Sequence, residues 1–585
     1  MLCVRPAAAQ QLEPIRYTLS FPAPYTHYVE VDASIPTDGQ PQVDLMMPVW
    51  TPGSYLVREY SRNVESLTAT GANDMPLPVG KTRKNRWRVE AGGARTISLH
   101  YRLYCREMSV RTNWIDEEFA QLNGAATYIT RLESRDRPYE VRLRLPPGWA
   151  RSLSGMTSPE PNVFRAPDYD TLVDSPIVAG NPAVYEFSAG GKPHYLVDVG
   201  EAGVWDGARA VQDLAKVVQK TIDLWGGAPY DRFYLFNMIG APGNGLEHKN
   251  SIVIETPRLS TSTPAGYHAW LRLASHEFFH PWNVKRLRPI ELGPFDYENE
   301  VYTKGLWFAE GVTDYYADLQ VRRAGLAGVE EYLQDLSGAI ANLQNTPGRL
   351  VLSAEMASYD AWIKYYRPNE NSTNDSVSYY VKGAVIGFLL DARIRHATAG
   401  VKTLDDFMRL MYQRYSGAHG FTSADLRATA VDLAGPSAKD DFPRWFQKTL
   451  ETTEELDYRE ALDWFGLDFR APSSAKSAYL GVATTLSEGR TFVTGVTRGT
   501  PAFDAGMEVD DEIIAIDGVR LPAGQFAARI AAFRPAEKIT FTISRRNLIR
   551  SLDVMVGTAP AQSWSLVVKP DATPGQTAHL KAWLQ

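Results

Sequence analysis

The stretch His276-Glu277-Phe278-Phe279-His280 constrains this 585-residue chain more than any other. Two imidazoles four positions apart can reach one point when the backbone between them is helical, because residues i and i+4 share a helix face one turn apart. At that spacing both can grip one Zn2+ through bonds of roughly 2.0–2.1 Å. Glu277 follows the first imidazole and leans toward the open side of such a metal, where a carboxylate can serve as general base for a bound water. A helical pair is not yet a site, since zinc catalysis needs a third protein ligand and one open position. The competing reading is a helix whose histidines are merely solvated or packed, but with ten histidines in the whole chain this arrangement seldom arises by chance.

A third ligand is on offer in Gly305-Leu306-Trp307-Phe308-Ala309-Glu310-Gly311-Val312-Thr313-Asp314-Tyr315-Tyr316. Glu310 follows an apolar run and opens a second predicted helix, about 305–322, with enough chain after His280 for a loop and a return. Asp314 falls one turn later on the same face, placed to accept the N–H of a metal-bound imidazole and fix its tautomer. Taken singly, Glu310 could be a carboxylate favoured by the helix dipole and Asp314 a solvated position.

Composition bounds the rest. Hydrophobic residues at 44% and charged residues at 22% are normal for a globular enzyme, and the length suits three to four domains. A net charge of −7 argues against nucleic acid or an anionic membrane as main partner. No apolar run reaches the roughly eighteen residues that a membrane span requires. The two cysteines, Cys3 and Cys105, do not suggest a structural disulfide and leave the compartment open. Pro6-Ala7-Ala8-Ala9-Gln10 reads like the end of a secretory signal that lacks its apolar segment, which points to a periplasmic or secreted protein. A chance alanine run in a cytoplasmic protein is the alternative.

Along the chain, residues 14 to about 185 alternate apolar and polar between Gly/Pro/Asn turns, the pattern of an all-β domain. From Ala202 to Trp225 the period turns helical, with Val211, Leu214, Val217, Val218, Ile222 and Leu224 on one face. Strands are expected near 232–239 and 251–256, the HExxH helix at about 266–283, and mainly helices to about 450. Beyond Pro472-Ser473-Ser474 the period returns to two, and residues 561–585 form a tail with no assigned role.

His280-Pro281-Trp282-Asn283-Val284-Lys285-Arg286-Leu287-Arg288-Pro289, the Glu310–Tyr316 run and Met47-Pro48-Val49-Trp50-Thr51-Pro52-Gly53-Ser54-Tyr55 together resemble the glycyl aminopeptidase family of gluzincin-type zinc metallopeptidases. The resemblance extends from about residue 14 to about 560. It implies a multidomain α+β fold: an N-terminal β domain at 14–185, a thermolysin-like zinc peptidase domain at 186–325, a helical domain completing the cleft at 326–470 and a PDZ domain at 474–560. It implies one Zn2+ per chain on His276, His280 and Glu310, with Glu277 as base; the ligand types alone would also suit Co2+ or Mn2+. Glu247, in Gly245-Leu246-Glu247-His248, matches the glutamate that holds the substrate's free α-amine in the larger aminopeptidases, although Gly243-Asn244-Gly245 departs from their pattern ahead of it. Tyr380 of Tyr380-Val381-Lys382-Gly383 matches a tyrosine that stabilises the oxyanion, with Tyr379 as the adjacent alternative. Asn123-Gly124-Ala125-Ala126 is a weaker candidate for the amine end of the cleft.

The segment from Tyr479 to Gly518 is similar to a bacterial PDZ domain, with Leu480-Gly481-Val482 at the carboxylate loop. A PDZ fold takes an extended C-terminal peptide as an added strand, unless its groove is closed by packing. The function implied is removal of N-terminal residues, small ones such as Gly and Ala, from peptides with a free N-terminus. Two other readings stand beside it: a PDZ-guided zinc endopeptidase in which Glu247 is idle, and a non-catalytic peptide-binding scaffold, against which the intact Glu277 argues.

Overall fold

Strand Tyr28–Pro36 shows how the N-terminal sequence makes its sheet: Val29, Val31, Ala33 and Ile35 alternate inward and are buried, while the residues between them face outward. It pairs antiparallel with Thr96–Tyr104 at nine positions, from Tyr28 opposite Tyr104 to Pro36 opposite Thr96. On its other side it pairs with Ile15–Ser20, which runs parallel to Tyr139–Arg144. These belong to an eight-stranded sheet, accompanied by two four-stranded sheets. The core between them is rich in tyrosine: Tyr17, Tyr101, Tyr128, Tyr139 and Tyr169 are all nearly inaccessible.

The computed structural model describes residues 12–200, 203–240, 243–471, 477–560 and 563–585. Cys3, the signal-like stretch at Pro6–Gln10, the linker Pro472-Ser473-Ser474 and the expected PDZ boundary at 474 lie outside the described residues. The chain divides into two compact units, Met1–Val301 with Met411–Phe421, and Tyr302–Leu410 with Thr422–Gln585. This differs from the expected domain at 186–325, because His276, Glu277 and His280 fall in the first unit and Glu310 in the second. Among the described residues, no helix is long and apolar enough to cross a membrane.

The first unit also holds a five-stranded sheet in the order Ala183–Ala189, Lys192–Val199, Phe233–Ile239, Ser251–Thr256, Asn244–Glu247. The expected boundary at 185 cuts its first strand, which pairs antiparallel with Lys192–Val199 from Ala183 onward. The middle three strands are parallel, and two of them are buried at every position, as sheets covered on both faces must be. Asn244–Glu247 closes one edge in antiparallel register. Helix Gly207–Trp225 connects two of the parallel strands. Its start is fixed by Asp206, whose carboxylate accepts the N–H of Arg209, and its end by Gly226 at φ 78°. Helix Pro264–Phe279 opens on Thr263, whose hydroxyl accepts from the Gly266 N–H at 3.1 Å. The helix stops short of the expected residue 283 because Pro281 has no N–H to donate to the helical ladder.

In the second unit the expected helix at 305–322 is broken into a π-helical turn, Trp307–Val312, and an α-helix, Thr313–Arg323. Helix Tyr379–Ala397 crosses that turn. Toward the C-terminus a sheet is built from Val482–Ser487, Arg490–Val496, Glu512–Ile516, Lys538–Arg545 and Leu548–Met555, and Val519–Arg520 pairs with its middle strand. Its core includes Leu480, Val493, Ile513, Ile539, Phe541 and Val554. Residues 563–585 have a defined structural place: Leu566–Val568 pairs with Leu467–Phe469, and helix Pro574–Leu584 buries Trp583 completely.

Candidate active site

Helix Pro264–Phe279 delivers the HExxH residues in the first unit. His276, Glu277 and His280 are 7%, 5% and 1% exposed. His280 lies just past the last α-helical residue yet keeps helical angles, φ −65° and ψ −26°, so the i, i+4 relation survives. The His280 Nδ1 stands 2.8 Å from the carbonyl oxygen of Asn283. A carbonyl can only accept, so Nδ1 carries the proton and Nε2 presents its lone pair. That Nε2 lies 3.1 Å from Nε2 of His276. Two nitrogens bound to one zinc at a tetrahedral angle would stand about 3.3 Å apart, so the pair fits the ion that the motif implies.

The edge strand Asn244–Glu247 passes beside this helix. A Cβ on Gly245 would overlap the Glu277 carboxylate, so only glycine leaves room for the base at that position. Leu246 is buried and packs in the cluster of Phe236, Met238 and Val253. Glu247 is 3% exposed. Glu247, Glu277 and His280 each place one donor atom within 4.8 Å of the other two. Across from Glu247 lies Gly53, at φ 93°, where a Cβ would stand 2.5 and 2.7 Å from the two carboxylate oxygens. Among the described residues none hydrogen-bonds to Glu247 Oε1, so a buried carboxylate oxygen is left to accept from something else.

Arg111 joins the two backbone segments that flank Glu247. Its guanidinium donates to Ser54 Oγ and to Asn244 Oδ1, each at 2.9 Å. On the strand behind, Glu255 stands opposite Asn244. Burial pushes the Glu255 carboxyl up to about 7, against the pull of Arg111.

A cavity of about 490 Å³ is lined by Glu247 and Gly53 but not by His276, Glu277 or His280. Trp50, Tyr55, Val284, Phe295 and Tyr412 supply apolar walls, and Lys249, Lys285, Arg286 and Arg288 bring four cations to it. Asp174 also lines it. Burial alone would raise that carboxyl, but Lys285 at 2.6 Å and His248 at 3.3 Å hold it well below the usual carboxylate range.

The second unit carries the other candidates. Glu310 is 2% exposed and sits within the π turn, an irregularity often found at functional positions. Gly311 of that turn meets Gly383 so closely that a Cβ on Gly311 would overlap the Gly383 backbone and lie 2.7 Å from the Tyr379 carbonyl. This crossing makes Glu310 an electrostatic neighbour of Tyr380: burial first, and then Glu310, push the Tyr380 phenol well above its ordinary value. Tyr380 is half-buried, whereas Tyr379 is fully buried, so Tyr380 is the ring with access. Asp314 is half-buried on the helix that follows Glu310. Leu480 is core, Gly481 has φ 76°, and Val482 begins a strand that, among the described residues, pairs on one side only, with Arg490–Val496.

Asn123, Ala125 and Ala126 are buried, and Gly124 is pressed against the backbone of Leu172 and Val173; none lines the cavity beside Glu247. The sequence did not single out Arg111, Asp174 or Glu255, since no local pattern separates them from ordinary surface charges. Gly53 sat inside a noted motif, and its positive φ opposite Glu247 gives that motif its physical reason.

A model of the Peptidase M61 N-terminal domain matches residues 16–181, and a model of the M61 glycyl aminopeptidase matches residues 269–386. Among solved structures, an aminopeptidase N family protein from Idiomarina loihiensis is 29% identical, with a TM-score of 0.90 over 98% of this chain and 100% of its own. An M1 zinc metallopeptidase from Deinococcus radiodurans is 12% identical, with a TM-score of 0.47 over 76% of this chain and 95% of its own. Among curated proteins, none matches this sequence. The similarity that bears on function is therefore to M61 glycyl aminopeptidases over both matched stretches, and to an aminopeptidase N family protein along nearly the whole chain.

Proposed function

We propose that this chain is a zinc-dependent aminopeptidase, with His276, His280 and Glu310 holding the ion, Glu277 as general base and Glu247 as anchor for the substrate's α-ammonium. The observation that carries the reading is the buried Glu247 carboxylate, with one oxygen unbonded among the described residues and a donor atom within 4.8 Å of Glu277 and His280. An amine held there sits at a fixed short distance from the base, so only the first peptide bond can be presented for cleavage. When bound, the ion supplies a Lewis acid that makes a water molecule acidic and polarises the scissile carbonyl. Glu277 takes the proton from that water and delivers it to the leaving amine. Tyr380, kept protonated by burial and by Glu310, donates to the carbonyl oxygen as it gains negative charge; such a donor is worth roughly 3–4 kcal/mol. Asp314 is the partner proposed for a ligand imidazole. Small first residues, Gly and Ala, are the preference the resemblance implies.

For the C-terminal sheet the reading is a PDZ domain whose open edge at Val482–Ser487, next to Leu480-Gly481, takes the C-terminus of a peptide. An endopeptidase guided by that groove is the second reading; it leaves the unbonded oxygen of Glu247 without a purpose. The test is Glu277→Gln. Turnover should fall at least a thousandfold while zinc content, measured by atomic absorption, stays at one per chain. Retained turnover would remove Glu277 from the mechanism, and lost zinc would show that the variant had damaged the site instead.

A further inference from the structure

We infer that Asp174 is a positioning residue for the cleavage proposed above: it holds the amine anchor Glu247 in place against the HExxH helix. The inference rests on the anchoring role proposed for Glu247. Asp174 comes from the N-terminal β domain, where it stands at the C-terminal cap of the short helix Tyr169–Val173. Its side chain is 9% exposed and reaches two separate parts of the site. One is the hairpin turn that follows Glu247. There Asp174 Oδ2 accepts the Lys249 backbone N–H at 2.8 Å, and Oδ1 stands 3.3 Å from His248 Nδ1. The other is the loop that follows the HExxH helix. The Lys285 ammonium lies 2.6 Å from Asp174 Oδ1, and the Lys285 backbone N–H donates to the His280 carbonyl at 3.1 Å. One buried carboxylate joins the two residues after the anchor to a loop fastened on a histidine of the motif. All of these groups lie in the first unit.

Arg286, in the same loop, adds a second bridge between the turn and the end of the helix: its guanidinium donates to the Lys249 carbonyl at 3.0 Å and to the Pro281 carbonyl at 2.8 Å. Gly124 accounts for how Asp174 is delivered. A Cβ on Gly124 would stand 2.5 Å from the Leu172 carbonyl oxygen and 2.6 Å from that of Val173, so only glycine lets the end of helix Tyr169–Val173 settle where it does. Asn123-Gly124-Ala125-Ala126 serves the cleft from a distance, by placing Asp174, rather than by lining it. An ionised carboxylate suits the task because it holds an ammonium, an imidazole and an N–H in one geometry, through charge-assisted bonds about twice as strong as neutral ones. The chemistry is sensitive to such placement, since an error of about 1 Å in a bound reactant can cost about a hundredfold in rate.

The test uses the full-length zinc enzyme and two p-nitroanilides, L-alanyl and β-alanyl. β-Alanine puts one more C–C bond, about 1.5 Å, between the amine and the scissile carbonyl, so the ratio of the two kcat/KM values reports how firmly the anchor is set. The wild type should favour L-alanyl about a hundredfold. Asp174→Ala with Lys285→Met removes both members of the buried pair, which spares the fold the cost of a buried charge left alone. In that protein the ratio should fall at least tenfold, mostly through kcat for L-alanyl. Asp174→Asn, which keeps the shape and one acceptor oxygen, should fall between the two. Hydrogen–deuterium exchange gives a readout without turnover: residues 244–251 should exchange severalfold faster in the variants, while the HExxH helix keeps its wild-type rate. A ratio unmoved in both variants, even with both rates lowered, or unchanged exchange at 244–251, would overturn the inference and leave the aminopeptidase reading standing. Wild-type cleavage of N-acetyl-alanyl p-nitroanilide as fast as of the free form would overturn the anchor itself, and the inference with it.

Discussion

Val284 adopts φ 115°, an angle that a β-branched residue tolerates only at a cost of about 1–3 kcal/mol. It follows Asn283, whose carbonyl accepts the Nδ1–H of His280, and the peptide plane joining the two residues carries that carbonyl. Strain at Val284 thus aims the acceptor that keeps the His280 Nε2 lone pair available. Glu247 makes its own prediction at this scale. Glu247→Ala should lower kcat/KM at least a hundredfold for peptides with a free amine and leave the rate for N-acetylated peptides within a few-fold; equal losses on both would remove the anchoring role. Glu255 predicts a pH effect on stability. Its folded pKa of about 7 lies above the unfolded value of 4.5, so between those values the folded state binds more protons than the unfolded state, and stability falls as pH rises. Below the unfolded value no cost is incurred; above the folded value the full cost, about 3 kcal/mol, is present. Glu255→Gln should therefore raise the melting temperature at pH 8 and change it little at pH 4.5. A shift of equal size at both pH values would contradict the assignment.

Among the elements, the crossing of the π turn at Trp307–Val312 with helix Tyr379–Ala397 brings Glu310 and Tyr380 into electrostatic range, and it depends on two glycines. Gly383→Ala would drive a methyl into the Trp307 carbonyl and to 2.8 Å from the Gly311 Cα. Overpacking of this kind costs about 1–3 kcal/mol, so thermal stability should drop, and kcat should fall further than KM changes as Tyr380 shifts. Wild-type kcat in this variant would mean that the crossing does not set the tyrosine. The elements themselves were legible to different degrees. The HExxH spacing and the expected strands near 232–239 and 251–256 could be read because each is a local pattern, whereas Glu247 was legible only through the resemblance to the larger aminopeptidases. The π turn could not, since Trp307–Val312 has the same apolar spacing as an α-helix and the extra residue is accommodated only by packing. Nor could the end of helix Pro264–Phe279 be placed without weighing Pro281 above the apolar residues beyond it. Gly53, Arg111 and Glu255 meet the edge strand from distant points in the chain, and separations of that kind leave no periodic trace.

For the whole molecule, the C-terminal helix Pro574–Leu584 is a structural part of the second unit. Trp583 stacks on Phe465 with ring centres 4.2 Å apart, and its indole N–H donates to the Tyr315 hydroxyl at 2.7 Å. Trp583→Ala should cost about 3–5 kcal/mol, read as a lower melting temperature; an unchanged transition would mean the helix is dispensable. The central claim concerns the molecule as an enzyme. It is tested most directly by hydrolysis of one alanyl peptide with a free N-terminus against its N-acetylated twin, each with and without a zinc chelator. The account predicts cleavage of the free peptide alone, abolished by chelation and restored by Zn2+. Equal cleavage of both peptides, or cleavage indifferent to the chelator, would contradict it.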